Sequence, residues 1–223
     1  FSTGAFQYFK HSQDKTSPLG KILSIDKTTG DWNVISMGHR NVQGLKYDHE
    51  RNIIFFTEHG PTGGDEFNIN FNPNLNDVEN YGWPISSYGE HYGEKSLVNK
   101  LTRYIKYPLH KSHNKHGFVE PIRFFVPSIG ISEILLLSES LIPSTNMQLL
   151  VSSLGEIENN GMSLHYFTMK EQTIKEHSII KLNERIRDII KFSNDSYLLF
   201  LENSPALLSL NSVRIHLFHG QYL

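Results

Sequence analysis

Short stretches in which apolar and polar residues alternate run through most of the chain. In the first half, residues 21–26 (KILSID) and 32–37 (WNVISM) flank the turn-forming residues TTGD. Residues 45–48 (LKYD) and 53–58 (IIFFTE) flank HERN in the same way. Alternation with a period of two, bounded by Gly, Asn and Asp, is typical of paired β-strands. The pattern therefore predicts antiparallel hairpins here.

The second half repeats this pattern, and the three-to-four residue periodicity of amphipathic helices is weak. The predicted strands of this half are residues 133–137, 147–154, 162–169, 177–182, 187–192 and 196–201. Many short strands with little helix indicate an all-β protein, which could be a sandwich, a barrel or a propeller.

An internal repeat helps to choose among these architectures. Arg40 followed by LKYDHERNIIFF at 45–56 aligns without a gap with Arg185 followed by IKFSNDSYLLFL at 190–201, at a constant offset of 145 residues. This offset would hold three units of about 48 residues each, close to the length of a propeller blade. The repeat therefore favours a β-propeller.

Composition limits the functions that the chain can have. Its 223 residues suffice for one large or two small domains. The mean hydropathy is -0.36, and no stretch approaches the roughly 18 apolar residues of a membrane span. Lys and Arg total 21 against 23 Asp and Glu, so no basic field attracts nucleic acid. The absence of cysteine excludes disulfides, zinc-thiolate sites and thiol catalysis.

The strongest cluster of chemically active residues is EHGPTGGDE, residues 58–66. Glu58, His59, Asp65 and Glu66 are crowded into a turn that contains three glycines and a proline. Exposed carbonyls beside a carboxylate, without thiols, suit a hard cation such as Ca²⁺. The alternative is a solvated acidic turn. The segment 70–92, rich in Asn, Gly, Pro and Tyr, is expected to form a long ordered loop that carries function.

A second group of titratable residues is the sequence HKSHNKH, which places His110, His113 and His116 three residues apart. A transition-metal site is conceivable there, but the polar surroundings favour a hydrated surface loop. The serines have no G-x-S-x-G context, so the sequence does not support a serine hydrolase.

Four motifs occur in a fixed order: GHRNVQGL at 38–45, TEHGPTGGDE at 57–66, NYGWPISSYG at 80–89 and RIRD at 185–188. Together they resemble the soluble dehydrogenases of glucose, sorbosone and aldose sugars that depend on pyrroloquinoline quinone (PQQ). The resemblance implies a six-bladed β-propeller that carries PQQ and Ca²⁺ on the face of its central channel.

The resemblance extends from about residue 20 to about residue 201. It implies that residues 1–223 form a partial propeller of about four to five blades, with the N-terminal blades missing. The histidine that serves the family as general base has no match here. The chain alone is therefore expected to be inactive.

The resemblance also assigns roles to single residues. It implies that Arg40 is catalytic, hydrogen-bonding the reactive quinone carbonyl, where a guanidinium would stabilise developing negative charge. For Arg40 the alternative is a strand-end arginine paired with a surface carboxylate. The residues implied to bind the cofactor are Arg40, Asn41, His59, Asp65, Arg185 and Arg187.

Arg185 and Arg187 are implied to clamp the carboxylates of the quinone. Their i, i+2 spacing places both side chains on one face of a strand. The alternative is a solvated basic edge on a surface strand.

For calcium, the resemblance implies four ligands: the carbonyls of Gly60, Pro61 and Tyr81 and the carboxylate of Glu66. Trp83, in the same motif as Tyr81, has the alternative of being a core aromatic residue only.

The implied function is oxidation of an aldose-type sugar at its anomeric carbon by hydride transfer to the quinone, with an electron acceptor of unknown identity. Neither a nucleic acid nor a membrane span is expected. The resemblance implies a periplasmic or extracellular location, although the first residues contain no signal-peptide pattern. The alternative function is a non-catalytic propeller, clipped by calcium, that binds a glycan or a protein partner.

Overall fold

The computed structural model describes the chain except for residues 75, 94–95, 138–145, 194–195, 204, 212–213 and 220–223. For residues 146, 205–211 and 214–219 only the backbone is described. The chain divides into two compact units, Phe1–Ser128 and Ile129–Leu223.

Two four-stranded sheets form the first unit. Its strands are β1 (Ser2–Thr3), β2 (Lys21–Ile25), β3 (Trp32–Met37), β4 (Val42–Asp48), β5 (Ile53–Glu58), β6 (Asp65–Asn70), β7 (Glu79–Asn80) and β8 (Arg123–Phe125). One sheet has the order β1-β2-β3-β7, in which β7 runs parallel to β3. The other has the order β4-β5-β6-β8 and is antiparallel throughout. The strands predicted in this half are confirmed.

The second unit also contains two four-stranded sheets, which are antiparallel. Their strands are β9 (Ile131–Leu136), β10 (Asn146–Ser153), β11 (Ser163–Lys170), β12 (Thr173–Lys181), β13 (Ile186–Ser193), β14 (Ser196–Leu201), β15 (Pro205–Asn211) and β16 (Arg214–His219). The sheet orders are β12-β11-β10-β9 and β13-β14-β15-β16. The six strands predicted in this half are confirmed, with bounds shifted by a few residues.

The internal repeat corresponds to equivalent hairpins, because β4-β5 and β13-β14 are each the first two strands of a sheet. The interpretation of the offset as three blades is wrong. Of the described sheets, only β9 to β12 lies between the two hairpins in the chain. The offset is long because residues 71–122 separate β6 from its sheet neighbour β8.

One α-helix, α1 (Leu97–Lys106), lies in that connection and was not predicted. Its apolar residues Leu97, Val98, Leu101 and Ile105 are exposed, so burial does not explain its pattern. Three short 3-10 turns are also present, at Phe9–Gln13, Asn114–His116 and Ile157–Asn159. Within the described residues, no helix combines the length and the apolar character that crossing a membrane would require.

Each unit has an apolar cluster between its sheets. In the first unit, Ile22 of β2 and Ile54 and Phe56 of β5 pack with Tyr81. The cluster of the second unit consists of Leu135, Leu150, Leu164, Ile186, Ile189, Tyr197 and Leu199. Since Tyr81 belongs to the long segment 70–92, the core anchors that segment.

A buried lysine fixes the N-terminal segment to β2. Lys21 has no exposed surface, and its ammonium group donates to the carbonyl oxygens of His11 (2.8 Å), Ser12 (3.0 Å) and Leu19 (2.8 Å). Burial lowers the pKa of Lys21 to about 8, so the group still carries its proton at neutral pH. Three donors therefore satisfy three carbonyls.

The 3-10 turn that Lys21 holds reaches the motif around Trp83. Ser12 Oγ and Gln13 Nε2 both donate to the carbonyl oxygen of Trp83, each at 2.7 Å. The lysine therefore stabilises the position of Trp83 through this turn.

Replacing Lys21 with Met should destabilise the protein, because the three carbonyls lose their donor while the apolar stem is kept. We expect Lys21→Met to lower the free energy of unfolding by about 1–3 kcal/mol, measured by urea denaturation. Lys27→Met, at an exposed turn, is the matched control and should change it by less than about 0.5 kcal/mol. Equal stability of the two variants would contradict the role given to Lys21.

Candidate functional site

A small cavity of about 10 Å³ lies in the first unit, at the ends of β5 and β6. A cavity of this size suits about one water-sized guest. Five of the residues implied to be catalytic or to bind the cofactor or calcium line it, namely Arg40, His59, Gly60, Glu66 and Tyr81. The turn after β5 and the motif around Tyr81 therefore meet at one place.

The turn between β5 and β6 is braced by Asp65. The Asp65 Oδ1 atom accepts hydrogen bonds from the Gly60 backbone N–H (3.1 Å) and from Ser128 Oγ (3.0 Å). Asp65 is 2% exposed. The Asp65 carboxylate thus bridges the start of the turn and the last residue of the first unit. Its contact with a cofactor stays a prediction.

The same turn is held from outside by two backbone contacts. Thr62 and Glu90 exchange N–H to carbonyl hydrogen bonds of 2.9 Å, and Gly64 N–H donates to the carbonyl of Phe125 at 2.8 Å. Gly64 has a φ of +71°, and a Cβ there would collide with the backbone of Gly89. Only glycine fits both the conformation and the close approach.

The Arg40 guanidinium lies against aromatic rings. Its Nη1 donates to the carbonyl of His59 (2.9 Å) and its Nη2 to the hydroxyl of Tyr92 (3.0 Å). Its Cζ is 5.5 Å from the centroid of the Trp83 ring and 5.8 Å from that of Tyr92. Among the described residues no carboxylate forms an ion pair with this guanidinium. The described residues thus do not supply the surface carboxylate that the alternative of a paired strand-end arginine requires. The next residue, Asn41, accepts the His59 N–H at its carbonyl (3.0 Å).

Two buried carboxylates lie directly opposite each other, since Glu58 of β5 pairs with Glu66 of β6. Glu58 Oε2 is 3.1 Å from His39 Nδ1. Glu66 Oε1 is 3.5 Å from His113 Nε2, and its Oε2 accepts from Asn68 Nδ2 at 3.2 Å. Burial, together with the negative charge of Glu58, raises the pKa of Glu66 well above its ordinary value. A positive charge at the cavity would therefore stabilise Glu66 in its ionised form.

His113 is a site residue that the sequence reasoning missed. The expected hydrated loop is wrong at this position, because His113 is 1% exposed. Its Nδ1 lies 3.2 Å from the Val119 carbonyl, and its ring stacks on Tyr88 at 5.4 Å. Burial lowers its pKa. The other two members of the motif, His110 and His116, stack on each other at 3.6 Å. No local pattern distinguishes His113 from them, since its contact with Glu66 is long-range.

Polar atoms without hydrogen-bond partners border the cavity. Within the described part of the chain, Trp83 Nε1, Ser86 Oγ and His113 Nε2 are buried and lack such a partner, and all three residues line the cavity. Buried polar groups in proteins are normally satisfied. Trp83 also packs with Ala5 and Leu109 in an apolar cluster, as the alternative of a core aromatic residue expects. The cavity has room and polarity for a guest.

The donor set fits the calcium ion that the resemblance implies. Gly60, Glu66 and Tyr81 line the cavity, and Pro61 is the buried neighbour of Gly60. Carboxylate and carbonyl oxygens are the ligands that calcium prefers. Among the described residues no three His, Asp or Glu side chains form a metal cluster of their own. Backbone carbonyls would therefore supply much of the coordination.

In the second unit, Arg185 and Arg187 share one partner. Arg185 Nε is 3.5 Å and Arg187 Nη2 is 3.1 Å from the carboxylate of Glu202. Both side chains are about half exposed, 47% and 49%, and their shared contact with Glu202 shows that they lie on the same side, as their spacing predicts. Their contact with a cofactor stays a prediction.

Solved structures share the fold of this chain. A crystal structure of a glucose dehydrogenase matches with a TM-score of 0.70 at 23% identity, covering 95% of this chain and 60% of that one. The crystal structure of the soluble aldose sugar dehydrogenase from Escherichia coli in its apo-form matches with a TM-score of 0.67 at 22% identity, covering 94% and 59%. The fold is that of a β-propeller, as predicted, with four sheets among the described residues.

Sequence comparisons identify the family to which the chain belongs. The profile of the family described as Glucose / Sorbosone dehydrogenase matches residues 1–209, and the chain belongs to this family. The protein slr1608 of Synechocystis sp. (strain ATCC 27184 / PCC 6803 / Kazusa), itself uncharacterised, is 28% identical over 217 residues, 91% of this chain and 48% of that protein. The aldose sugar dehydrogenase YliI of Escherichia coli (strain K12) is 28% identical over 178 residues, 79% and 43%. The chain thus spans about half the length of these relatives.

Removing the brace of the turn should destabilise the first unit. We expect Asp65→Ala to lower the free energy of unfolding by about 1–3 kcal/mol, because the Gly60 N–H and the Ser128 hydroxyl lose a buried acceptor. Asp65→Asn keeps one acceptor oxygen and should recover part of the loss. Asp77→Ala, at an exposed position, is the control in the same urea titration. An Asp65→Ala protein as stable as this control would contradict the brace.

Proposed function

We propose that the protein containing this chain is a calcium- and PQQ-dependent dehydrogenase that oxidises an aldose-type sugar at its anomeric carbon. Family membership supports sugar oxidation, and so does the printed name of the Escherichia coli relative. The observation that carries the finer proposal is the meeting of Arg40, His59, Gly60, Glu66 and Tyr81 around one cavity. We further propose a periplasmic or extracellular location and an external electron acceptor.

In this proposal Arg40 acts at the reacting end of the cofactor. Its guanidinium borders the cavity and has no described carboxylate partner, so its charge is available to negative charge that develops during the reaction. When bound, the quinone would supply the two-electron acceptor that takes hydride from the sugar. Asn41, His59 and Asp65 would line the same end.

Arg185 and Arg187 are proposed to bind the carboxylates of the cofactor. Arg185 and Arg187 present two guanidinium groups on one face. Paired guanidinium groups bind carboxylates with strong charge-assisted hydrogen bonds. Glu202, which contacts both arginines in this structure, would then share them with the cofactor or lose its contacts with them.

Calcium would be held by the carbonyls of Gly60, Pro61 and Tyr81 and by the carboxylate of Glu66. When bound, the ion would supply a Lewis acid that orients and polarises the quinone. The buried carboxylates of Glu58 and Glu66 provide the negative charge that favours a cation at this place.

The experiment that tests the function is dye-linked oxidation of several aldoses by the whole protein, reconstituted with PQQ and Ca²⁺. We expect turnover that requires both additions. A complete protein that binds Ca²⁺ and oxidises none of the sugars would favour the non-catalytic propeller instead.

Substitutions of Arg40 and of Arg187 should have different effects in this assay. Arg40→Ala should reduce turnover roughly 100-fold to 1000-fold with a smaller effect on PQQ affinity, since its partner charge develops only during the reaction. Arg187→Ala should weaken PQQ binding by about 1.5–3 kcal/mol, the size of a charged hydrogen bond. Lys170→Ala, which removes an exposed cation, is the control. Similar losses of affinity in both arginine variants would contradict the division of roles.

Calcium should stabilise the folded protein. Because an ion that binds only the native state stabilises it by mass action, saturating Ca²⁺ at 100 times its dissociation constant adds about 2.7 kcal/mol and raises the melting temperature. We expect Glu66→Gln to remove most of this gain, while Glu50→Gln, at an exposed position, retains it. An unchanged melting curve across millimolar Ca²⁺ would overturn the calcium site.

A further inference from the structure

We infer that Glu58, oriented by His39, is a positioning residue for Arg40. The inference rests on the proposed function, in which Arg40 acts at the cavity. Glu58 itself is held by contacts with protein groups, and its effect on the reaction would be exerted through Arg40.

The end of β5 holds Arg40 at two points. The backbone N–H of Arg40 donates to Glu58 Oε1. The guanidinium of the same residue donates through Nη1 to the carbonyl of His59, at 2.9 Å. Since Glu58 and His59 are consecutive, one short segment fixes both the backbone and the tip of the arginine.

Two side chains of β5 accept backbone N–H groups near the start of β4. The pairing of β4 with β5 shifts register between Val42 and Leu45, and within this irregularity Thr57 Oγ1 accepts the Gly44 N–H at 2.8 Å. Glu58 accepts the N–H of Arg40, which lies two residues before β4 begins. The carboxylate of Glu58 therefore supplies a buried acceptor to a backbone donor outside the strand pairing.

The second oxygen of Glu58 is fixed by His39. The distance between Glu58 Oε2 and His39 Nδ1 is 3.1 Å, and His39 Nε2 lies 2.8 Å from Ser36 Oγ. His39 has no exposed surface. Its ring stacks on Tyr81 at 5.0 Å and meets Phe56 edge-on at 5.0 Å. With both nitrogens bonded and the ring packed against Tyr81 and Phe56, the ring has one orientation available.

This chain of contacts also explains how Glu58 remains in place opposite Glu66. Like charges directly across a strand pair repel. The bonds from His39 and from the Arg40 N–H compensate the carboxylate and prevent it from turning away. The buried contacts from Ser36 to His39 and from His39 to Glu58 therefore fix the orientation of Arg40.

The first test measures hydrogen exchange of the Arg40 amide by NMR, in the full-length protein without PQQ. Glu58→Ala should speed this exchange at least 10-fold. Glu58→Gln should leave it within about 3-fold, because the amide oxygen can accept the Arg40 N–H while its NH₂ donates to the other tautomer of His39. Glu50→Ala, at an exposed position, is the control. Unchanged exchange in Glu58→Ala would overturn the inference.

A second pair of variants keeps the test decisive if Glu58→Ala does not fold. His39→Asn retains a donor towards Glu58, whereas His39→Leu removes it. We expect faster exchange at Arg40 in His39→Leu than in His39→Asn. Equal exchange in the two would overturn the role of His39.

Turnover supplies a readout that loss of stability alone would not move. In folded protein saturated with PQQ, Glu58→Ala should slow sugar oxidation roughly 10-fold to 100-fold, the effect of a displaced catalytic group, with PQQ affinity within about 3-fold. The double variant Arg40→Ala with Glu58→Ala should be no slower than Arg40→Ala, because both act through one group. Multiplying losses would refute positioning. A wild-type protein that neither binds PQQ nor oxidises sugar would refute the proposed function, whereas the exchange comparison tests the Glu58 contact by itself.

Discussion

The pairing of Glu58 with Glu66 across two buried strands is the constraint on which the candidate site depends. Two buried carboxylates that face each other must each find donors or a cation. His39 and the Arg40 N–H contact Glu58, while Glu66 accepts from Asn68 and lies 3.5 Å from His113. These contacts bring the start of β4 and the distant residue His113 to the same end of β5 and β6.

Only part of the fold and of the candidate site could be predicted from the sequence. Some strands could be predicted from alternating apolar and polar residues, whereas IIFFTE, which is buried throughout, could be predicted from its apolar run between turn residues. The residues gathered around the cavity lie in contiguous motifs, so that Arg40 and Glu66 could be named in advance. The sequence contained no signal for His113, because its burial is created by a fold that brings it beside Glu66 from another part of the chain. His39 was read only as part of a motif, and its function depends on distances that no spacing encodes.

Two other departures have physical causes. The helix α1 was not predicted although Leu97, Leu101 and Ile105 recur at helical spacing, and the structure leaves this apolar stripe exposed instead of burying it. The division of the 145-residue offset into three blades was wrong because it assumes units of equal length. The long connection from β6 to β8 breaks that assumption. The repeated hairpins themselves were predicted correctly, since Arg40 and Arg185 each precede the first strand of a sheet. A repeated fold can thus place a cation at equivalent points of different sheets.

The contacts of Trp83 with the N-terminal turn bear on how the site forms during folding. The carbonyl of Trp83 is held by Ser12 and Gln13, which are 71 and 70 positions away in the chain. Contacts of large sequence separation require a long loop to close before they contribute, and they slow folding. The position of Trp83 beside Arg40 therefore depends on closing the loop back to the segment around Lys21. The ring beside the catalytic candidate is thus expected to order late, which makes the cavity a product of the completed unit rather than of any local motif.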